Sequence, residues 1–111
     1  MSDCIFCKSI NGDIPSNKVY EDEKCVAFCD VAPAAPVHVL LLPKVHVENV
    51  TKCEAELLGY LMSKVALIAE KTGVLENGFR VVINTGKDGG QTVNHLHIHI
   101  IGGKELGWPP C

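Results

Sequence analysis

The sequence predicts an α+β domain, in which a mostly antiparallel sheet of five strands packs with one long and one short helix. Two observations carry this prediction. Five short apolar segments have the length and composition of strands, and one longer segment has the 3.6-residue apolar period of a helix. No repeat or linker divides the chain, so we expect one domain over residues 1–111.

The first half of the chain predicts the short helix and three strands. The helix is expected over residues 4–10, because Asn11-Gly12 and Pro15 end it. Strands are expected over residues 18–20 and 25–29, joined by a charged turn over 21–24. A third, buried strand is expected over residues 37–42 and is closed by Pro43.

The second half predicts the long helix and two strands. Thr51 and Glu54 have the spacing of a capping box, and the helix is expected to end near Gly73. Its apolar stripe consists of Leu58, Leu61, Met62, Val65, Ile68 and Ala69. Strands are expected over residues 79–84 and 94–101, with a glycine-rich turn over 86–90 between them.

Composition argues against several classes of partner and compartment. The net charge is −3 and no run of Lys or Arg forms a stripe, so we expect no nucleic-acid partner. The apolar run over residues 37–43 is too short to cross a bilayer, so we expect no membrane partner. Six cysteines at irregular spacing, without an export signal, favour the reducing cytoplasm, with the nucleus also open.

Three alternating histidines, His95, His97 and His99, stand out near the end of the chain. On a strand they share one face, with neighbouring backbones roughly 6.7 Å apart, while Leu96, Ile98 and Ile100 share the other. Residues i and i+2 can also hold a metal, so a His-x-His metal site stays open.

Chemistry at phosphorus explains this histidine face better. Grouped imidazoles cannot all be cationic, because like charges depress one another's protonation. One neutral ring can therefore act as a nucleophile while another donates to an anionic phosphate. The preceding Gly89-Gly90-Gln91-Thr92 allows backbone N–H groups to approach a phosphate.

The run His95-Leu96-His97-Ile98-His99-Ile100-Ile101 resembles the signature of the histidine triad (HIT) superfamily, in which histidines alternate with apolar residues. The resemblance covers nearly the whole chain. It includes Cys4-Ile5-Phe6-Cys7-Lys8, Asp13-Ile14-Pro15, Ala27-Phe28-Cys29-Asp30, Pro36-Val37-His38, Leu42-Pro43-Lys44 with His46, and Gly89-Gly90-Gln91-Thr92-Val93. The ending Gly107-Trp108-Pro109-Pro110 is similar to the Hint branch, the histidine triad nucleotide-binding proteins.

The resemblance implies a hydrolase of purine nucleoside phosphoramidates and aminoacyl adenylates. His97 would attack the α-phosphorus and form a nucleotidyl-histidine, His99 would contact the phosphate, and His38 would orient the nucleophile. Asp30 would accept hydrogen bonds from the ribose, and Phe28 and Val31 would flank the base. The remaining implied nucleotide contacts are Asn84, Gly90, Gln91, Thr92 and Val93. Cys29 and Asn94 replace the His and Tyr that many relatives carry there.

Cys4-x-x-Cys7 has a spacing common in zinc sites, but alone it also fits packing. The resemblance implies a structural zinc held by Cys4, Cys7, His46 and His95, with no cofactor required for the chemistry itself. A closed Cys₂His₂ set leaves no open position for catalysis.

Two other functions stay open at this stage. One is hydrolysis of diadenosine polyphosphates, which uses the same triad but usually without the Trp-Pro-Pro ending. The other is a regulatory nucleotide-binding or protein-interacting module, similar to the proteins once described as protein kinase C inhibitors. The resemblance also implies a homodimer whose sheet continues across the interface.

Overall fold

Five strands form one antiparallel sheet, as predicted. The structure is a computed structural model that describes residues 4–110. The strands are β1 (Lys18–Glu21), β2 (Cys25–Cys29), β3 (Val37–Pro43), β4 (Phe79–Val82) and β5 (Ile98–Gly102). Their order across the sheet is β1-β2-β3-β5-β4, and every neighbouring pair is antiparallel. The last strand, β5, therefore lies between β3 and the edge strand β4.

In the described part of the chain, three α-helices cover the sheet: α1 (Ile5–Ile10), α2 (Ala55–Ser63) and α3 (Val65–Thr72). The predicted long helix is present as α2 and α3, which follow each other with only Lys64 between them. Its end is also as predicted, because Gly73 adopts a left-handed conformation that favours glycine. The predicted capping box is wrong. Thr51 lies inside a separate 3-10 helix, Val50–Lys52, whose N-terminus is capped by Asn49.

Alternation along β2 and β3 gives the sheet two apolar faces. Cys25, Ala27, Val39 and Leu41 point to the face covered by α2 and α3, where they pack with residues such as Leu61 and Ile68. Val26, Phe28, Leu40 and Leu42 point to the other face, where Phe6 and Ile10 of α1 pack against them. Both faces are thus apolar along these two central strands, and α1 lies on the side opposite the long helix.

One member of the predicted helical stripe is exposed. Leu61, Val65, Ile68 and Ala69 are buried as predicted, but Met62 is 42% exposed. Leu57 and Tyr60 pack against the core instead, because the buried stripe continues at a spacing of four residues from Leu57 to Leu61 and leaves Met62 to its side.

The β1–β2 turn is tied to α2 through Asp22. Its carboxylate accepts hydrogen bonds from the hydroxyls of Tyr20 and Tyr60 and from the backbone N–H groups of Lys24 and Cys25. Burial raises the pKa of this carboxyl, but these donors outweigh it and hold the pKa well below its usual value. The turn and the helix are therefore joined by a charged acceptor.

The last strand begins later than predicted. We expected it over residues 94–101, but β5 starts at Ile98, so His95 and His97 precede the strand. The segment before β5 bends at residues 93–95, and the N–H of Leu96 donates to the carbonyl of Val47 rather than to a neighbouring strand. Leu96, Ile98 and Ile100 nevertheless all join the core under α2 and α3, as the alternation predicted.

Within residues 4–110, none of the helices combines the length and the apolar character that crossing a membrane requires.

Candidate functional site

A cavity of about 820 Å³ lies on the α1 side of the sheet. This volume is in the range of small-molecule sites. Ile5, Phe6 and Ser9 of α1 form one wall, and Phe28 and Leu40 of the sheet form another. The rest of the lining is Ile14, Pro15, Ser16, Asn17, Cys29, Asp30, Val31, Thr92, Val93, His97 and His99. The cavity is therefore largely apolar, and its polar lining includes two histidines and one aspartate.

His97 and His99 lie side by side in this cavity, with ring centroids 5.0 Å apart. His38 on β3 lies behind His99, and its Nε2 is 2.9 Å from Nδ1 of His99. A carboxylate oxygen of Asp30 is 3.4 Å from the same Nε2 of His38. The antiparallel pairing of β3 with β5 brings His38 and His99 together, since His38 pairs with Ile101 and Leu40 pairs with His99. His38 itself does not line the cavity, and its Nε2 contacts the cavity residues His99 and Asp30.

The hydrogen bonds define which nitrogens carry protons. The backbone N–H of Ala34 donates to Nδ1 of His38 at 2.9 Å, so Nδ1 has no proton. The proton of neutral His38 is therefore on Nε2, and it is donated to Nδ1 of His99. His99 must then carry its own proton on Nε2. Within the described residues, this buried Nε2 has no hydrogen-bond partner.

An unpartnered buried donor is costly unless a ligand accepts from it. Burial, together with the nearby imidazoles of His97 and His38, lowers the pKa of His99 from 6.5 to about 4, with Asp30 opposing the shift. His99 is therefore neutral near pH 7 and presents one N–H to whatever occupies the cavity.

The orientation of His97 follows from a single backbone contact. Its Nδ1 lies 2.7 Å from the carbonyl oxygen of His95, which can only accept, so Nδ1 carries the proton. The lone pair of neutral His97 is then on Nε2, the nitrogen not used by the backbone. His97 is 5% exposed, which shields this nitrogen from bulk water while it lines the cavity. This arrangement suits a nucleophile.

The first histidine of the run, His95, belongs to a different cluster. Nδ1 of His95 lies 3.4 Å from the sulfur of Cys4 and 3.5 Å from that of Cys7, and Nδ1 of His46 lies 3.3 Å from the sulfur of Cys7. The four ligand atoms all lie within 4.8 Å of one another. We expected all three imidazoles to share one face of a strand. All three lie on the α1 side, but His95 and His97 precede β5, and His95 faces the thiols beside the segment after β3.

The chemistry of this cluster fits a zinc ion. Tetrahedral zinc with thiolate and imidazole ligands places sulfur and nitrogen about 3.6 Å apart, close to the separations found here. Nε2 of His95 donates to the carbonyl of Pro43 at 2.9 Å, which leaves the Nδ1 lone pair facing the two thiols. The cluster is consistent with a structural zinc site. None of the five described cysteines forms a disulfide, so the thiols of Cys4 and Cys7 are available as ligands.

The loop before the histidine run is placed differently from the prediction. Thr92 and Val93 line the cavity, but the described residues that line it do not include Asn84, Gly90 or Gln91. Their polar groups are used within the loop, where Asn84 donates to the carbonyl of Gly89 and the Gln91 amide joins Gly86 to Glu48 and Val93. These side chains shape the loop that carries Thr92.

The predicted ribose and base residues are at the cavity. Asp30 lines it, and one carboxylate oxygen accepts from the N–H of Ala32 at 2.9 Å, which orients the group. Phe28 is 6% exposed and serves both the core and the cavity wall, whereas Val31 is 99% exposed at the cavity mouth. An aspartate beside apolar walls provides acceptors for hydroxyl groups next to a surface for a ring.

Sequence reasoning missed the wall formed by α1. Phe6 packs edge-on to His97, with ring centroids 5.0 Å apart, and to Phe28 at 5.8 Å. Phe6 and Ile10 are four residues apart, which places them on one side of a helix, and this spacing was a signal that α1 covers an apolar surface. Nothing in that spacing indicated which face of the sheet it covers.

Comparison with known proteins agrees with the site. The model of the HIT domain family matches residues 11–106. A HIT-like protein of Synechococcus elongatus is 54% identical, over 97% of this chain and 96% of its own length. A 14 kDa zinc-binding protein of Zea mays is 47% identical, over 98% of this chain and 88% of its own. The crystal structure of a HIT family hydrolase from Legionella pneumophila superposes with a TM-score of 0.94 at 38% identity, covering 98% of this chain and all of that one. The chain belongs to the HIT domain family.

Proposed function

We propose that this protein is a hydrolase of the Hint branch that cleaves the P–N bond of purine nucleoside phosphoramidates. The observation that carries the proposal is the pairing of two imidazoles with complementary nitrogens in one cavity. His97 has its lone pair on Nε2, and His99 presents an unpartnered Nε2–H beside it. A nucleophile and a donor to a phosphate oxygen are thus supplied by adjacent rings. The resemblance to a family that contains hydrolases supports the same chemistry.

The reaction proceeds in two displacements at phosphorus. Nε2 of His97 forms a bond to the α-phosphorus while the P–N bond of the substrate breaks, and the departing nitrogen takes up a proton to leave as an amine. Water then attacks the nucleotidyl-histidine, releases the nucleoside monophosphate and a proton, and restores the free imidazole. The two steps together replace one difficult displacement by two easier ones. An aminoacyl adenylate enters the same first step with a carboxylate as the leaving group.

The other cavity residues bind the nucleotide. His99 donates to a phosphate oxygen, the Thr92 hydroxyl and the Val93 backbone also contact the phosphate, and Asp30 accepts from the ribose hydroxyls; all four residues line the cavity. Phe28 and Val31 flank the base. We assign Asn84, Gly90 and Gln91 to this function through the loop that they hold in place. His38 holds His99, as its hydrogen bond indicates.

Zinc at Cys4, Cys7, His46 and His95 supplies structure in this proposal. The Cys₂His₂ set is closed, so the ion orients its ligands and leaves no site for substrate. The name of the zinc-binding relative from Zea mays supports this assignment. Elemental analysis should find one zinc per chain.

Turnover of adenosine 5′-phosphoramidate by the His97→Ala variant tests the function. The variant should bind AMP and contain the same amount of zinc as the wild type, because His97 is outside the metal cluster. Its kcat should fall by at least about 10⁴-fold, since the nucleophile is lost. Turnover near the wild-type rate would remove His97 from the proposed role. Hydrolysis of diadenosine polyphosphates faster than of the phosphoramidate would contradict the proposed substrate class.

A further inference from the structure

Helix α1 belongs to both sites in this molecule. Its N-cap residue, Cys4, and Cys7 in its first turn supply the two thiols of the metal cluster. Ile5 and Phe6, which lie between these cysteines, line the nucleotide cavity, and so does Ser9 one turn later. A displacement of the thiols therefore displaces the cavity wall.

Phe6 is the contact between this helix and the reacting group. Its ring centroid lies 5.0 Å from that of His97 and 6.1 Å from that of His95, with the rings edge-on in both pairs. Such aromatic pairs contribute stabilising energy beyond the area they bury and favour one orientation of the rings. One side chain of α1 thus packs against the proposed nucleophile and against a metal-cluster histidine.

A second connection runs through His95. Its imidazole faces the thiols, while its backbone carbonyl accepts from Nδ1 of His97 and so selects the reactive tautomer. The next residue, Leu96, is held by the Val47 carbonyl, one residue after His46. The cluster ligands and the orientation of His97 therefore share one short stretch of backbone.

Helix α1 cannot hold this position by its own stability. It has six residues, and a helix of this length is marginal in water without external contacts. Its contacts with the sheet come from Phe6 and Ile10, and the metal ligands are at its N-terminal end. A bound ion would join that end to His46 and His95.

We propose that metal binding at the Cys4–Cys7–His46–His95 cluster and nucleotide binding in the cavity are coupled through α1, with Phe6 as the positioning residue. Each ligand favours the same position of α1, so each binds more tightly when the other is present. This inference rests on the proposed function, because it takes the cavity ligand to be a nucleoside monophosphate. Coupling of this kind is reciprocal, so both affinities change by the same factor.

The test measures binding rather than turnover. Calorimetry gives the AMP dissociation constant of the full chain in its zinc-loaded form and in its chelator-treated form, and competition with a chromophoric chelator gives zinc affinity with and without saturating AMP. We expect zinc to tighten AMP binding by about fivefold or more, and AMP to tighten zinc binding by the same factor. Equal, measurable AMP affinity in the two forms would overturn the coupling and leave the proposed function intact. If AMP binds neither the zinc-loaded nor the chelator-treated form, both the coupling and the proposed function are overturned.

Two matched variants locate the coupling. Phe6→Leu keeps the four ligands and an apolar side chain but removes the ring, so zinc should still bind at one per chain while the coupling factor falls toward one. Phe79→Leu makes the same change at a similarly half-buried phenylalanine on β4, away from both sites, and should keep the wild-type factor. Coupling that survives unchanged in Phe6→Leu would contradict the role of Phe6. The comparison uses zinc-free protein whose circular dichroism matches that of the zinc-loaded form, because coupling through unfolding alone would persist in Phe6→Leu.

Discussion

At the scale of single residues, one backbone N–H determines which ring nitrogen carries the proton in two histidines. Ala34 donates to His38, which donates to His99, so His99 has its remaining proton on the nitrogen that faces the cavity. A second backbone group, the carbonyl of His95, determines the tautomer of His97. Backbone groups cannot change their roles as donor or acceptor, so both assignments are independent of pH while the imidazoles stay neutral.

Replacing His38 tests this chain of hydrogen bonds. His38→Phe keeps a ring of similar size but cannot donate to Nδ1 of His99, so His99 is free to place its proton there and lose the donor in the cavity. We expect kcat for adenosine 5′-phosphoramidate to fall by about 10²-fold or more, with AMP binding affected much less. His38→Gln can donate through its amide and should recover part of the loss. Wild-type kcat in both variants would argue against a role for His38.

At the scale of elements, the sheet brings the site together by pairing strands that are distant in sequence. β3 and β5 are separated by the long helix and β4, yet their pairing places His38 next to His99. Alternation then sends Ile98 and Ile100 toward α2 and α3 and His99 toward α1. The same geometry puts the cavity between the sheet and α1.

We propose the outer side of β4 as the interface of the homodimer that the family resemblance implies. β4 ends the strand order, and its four residues are only partly buried in the single chain. Edge strands carry unpaired N–H and C=O groups, and pairing with a second copy would satisfy them and continue the sheet. Trp108 nearby is 80% exposed and lies over Arg80 of β4, with the Arg80 guanidinium carbon 5.9 Å from the ring centroid.

Sedimentation equilibrium of the zinc-loaded protein tests this assembly. At micromolar concentration we expect a mass twice that of the chain, and we expect Arg80→Pro to shift the protein toward one copy, because a proline in β4 disrupts the backbone of this edge strand. Trp108→Ala should weaken the assembly less, since it leaves the edge strand unchanged. A single-chain mass for the wild type across the concentration range would exclude the dimer.

At the scale of the whole molecule, local patterns predicted the elements better than their arrangement. The alternation of Leu96, Ile98 and Ile100 predicted the buried face, because a strand period of two survives the late start of β5. The alternation did not predict the separation of His95 from His97, which followed only from the family resemblance, since it depends on contacts with Pro43 and Val47 that are distant in sequence. The convergence of Cys4, Cys7 and His46 followed from the family resemblance rather than from any pattern in the chain.

The position of α1 was similarly beyond local reasoning. A helix of six residues with Phe6 and Ile10 on one side can cover either face of a sheet whose central strands are apolar on both. The choice depends on the thiols of Cys4 and Cys7 meeting His46 and His95 at one end of the sheet. The residues that link the two sites were therefore visible only in the fold.

Identification of a covalent adduct tests the central claim most directly. The zinc-loaded protein is mixed with adenosine 5′-phosphoramidate, quenched within a fraction of a turnover, digested and analysed by mass spectrometry under conditions that preserve phosphorus–nitrogen bonds. We predict an adenylyl group on His97, absent from the His97→Ala variant treated in the same way. An adduct on His99 or His38, or release of AMP at the wild-type rate with no adduct at any quench time, would contradict the account.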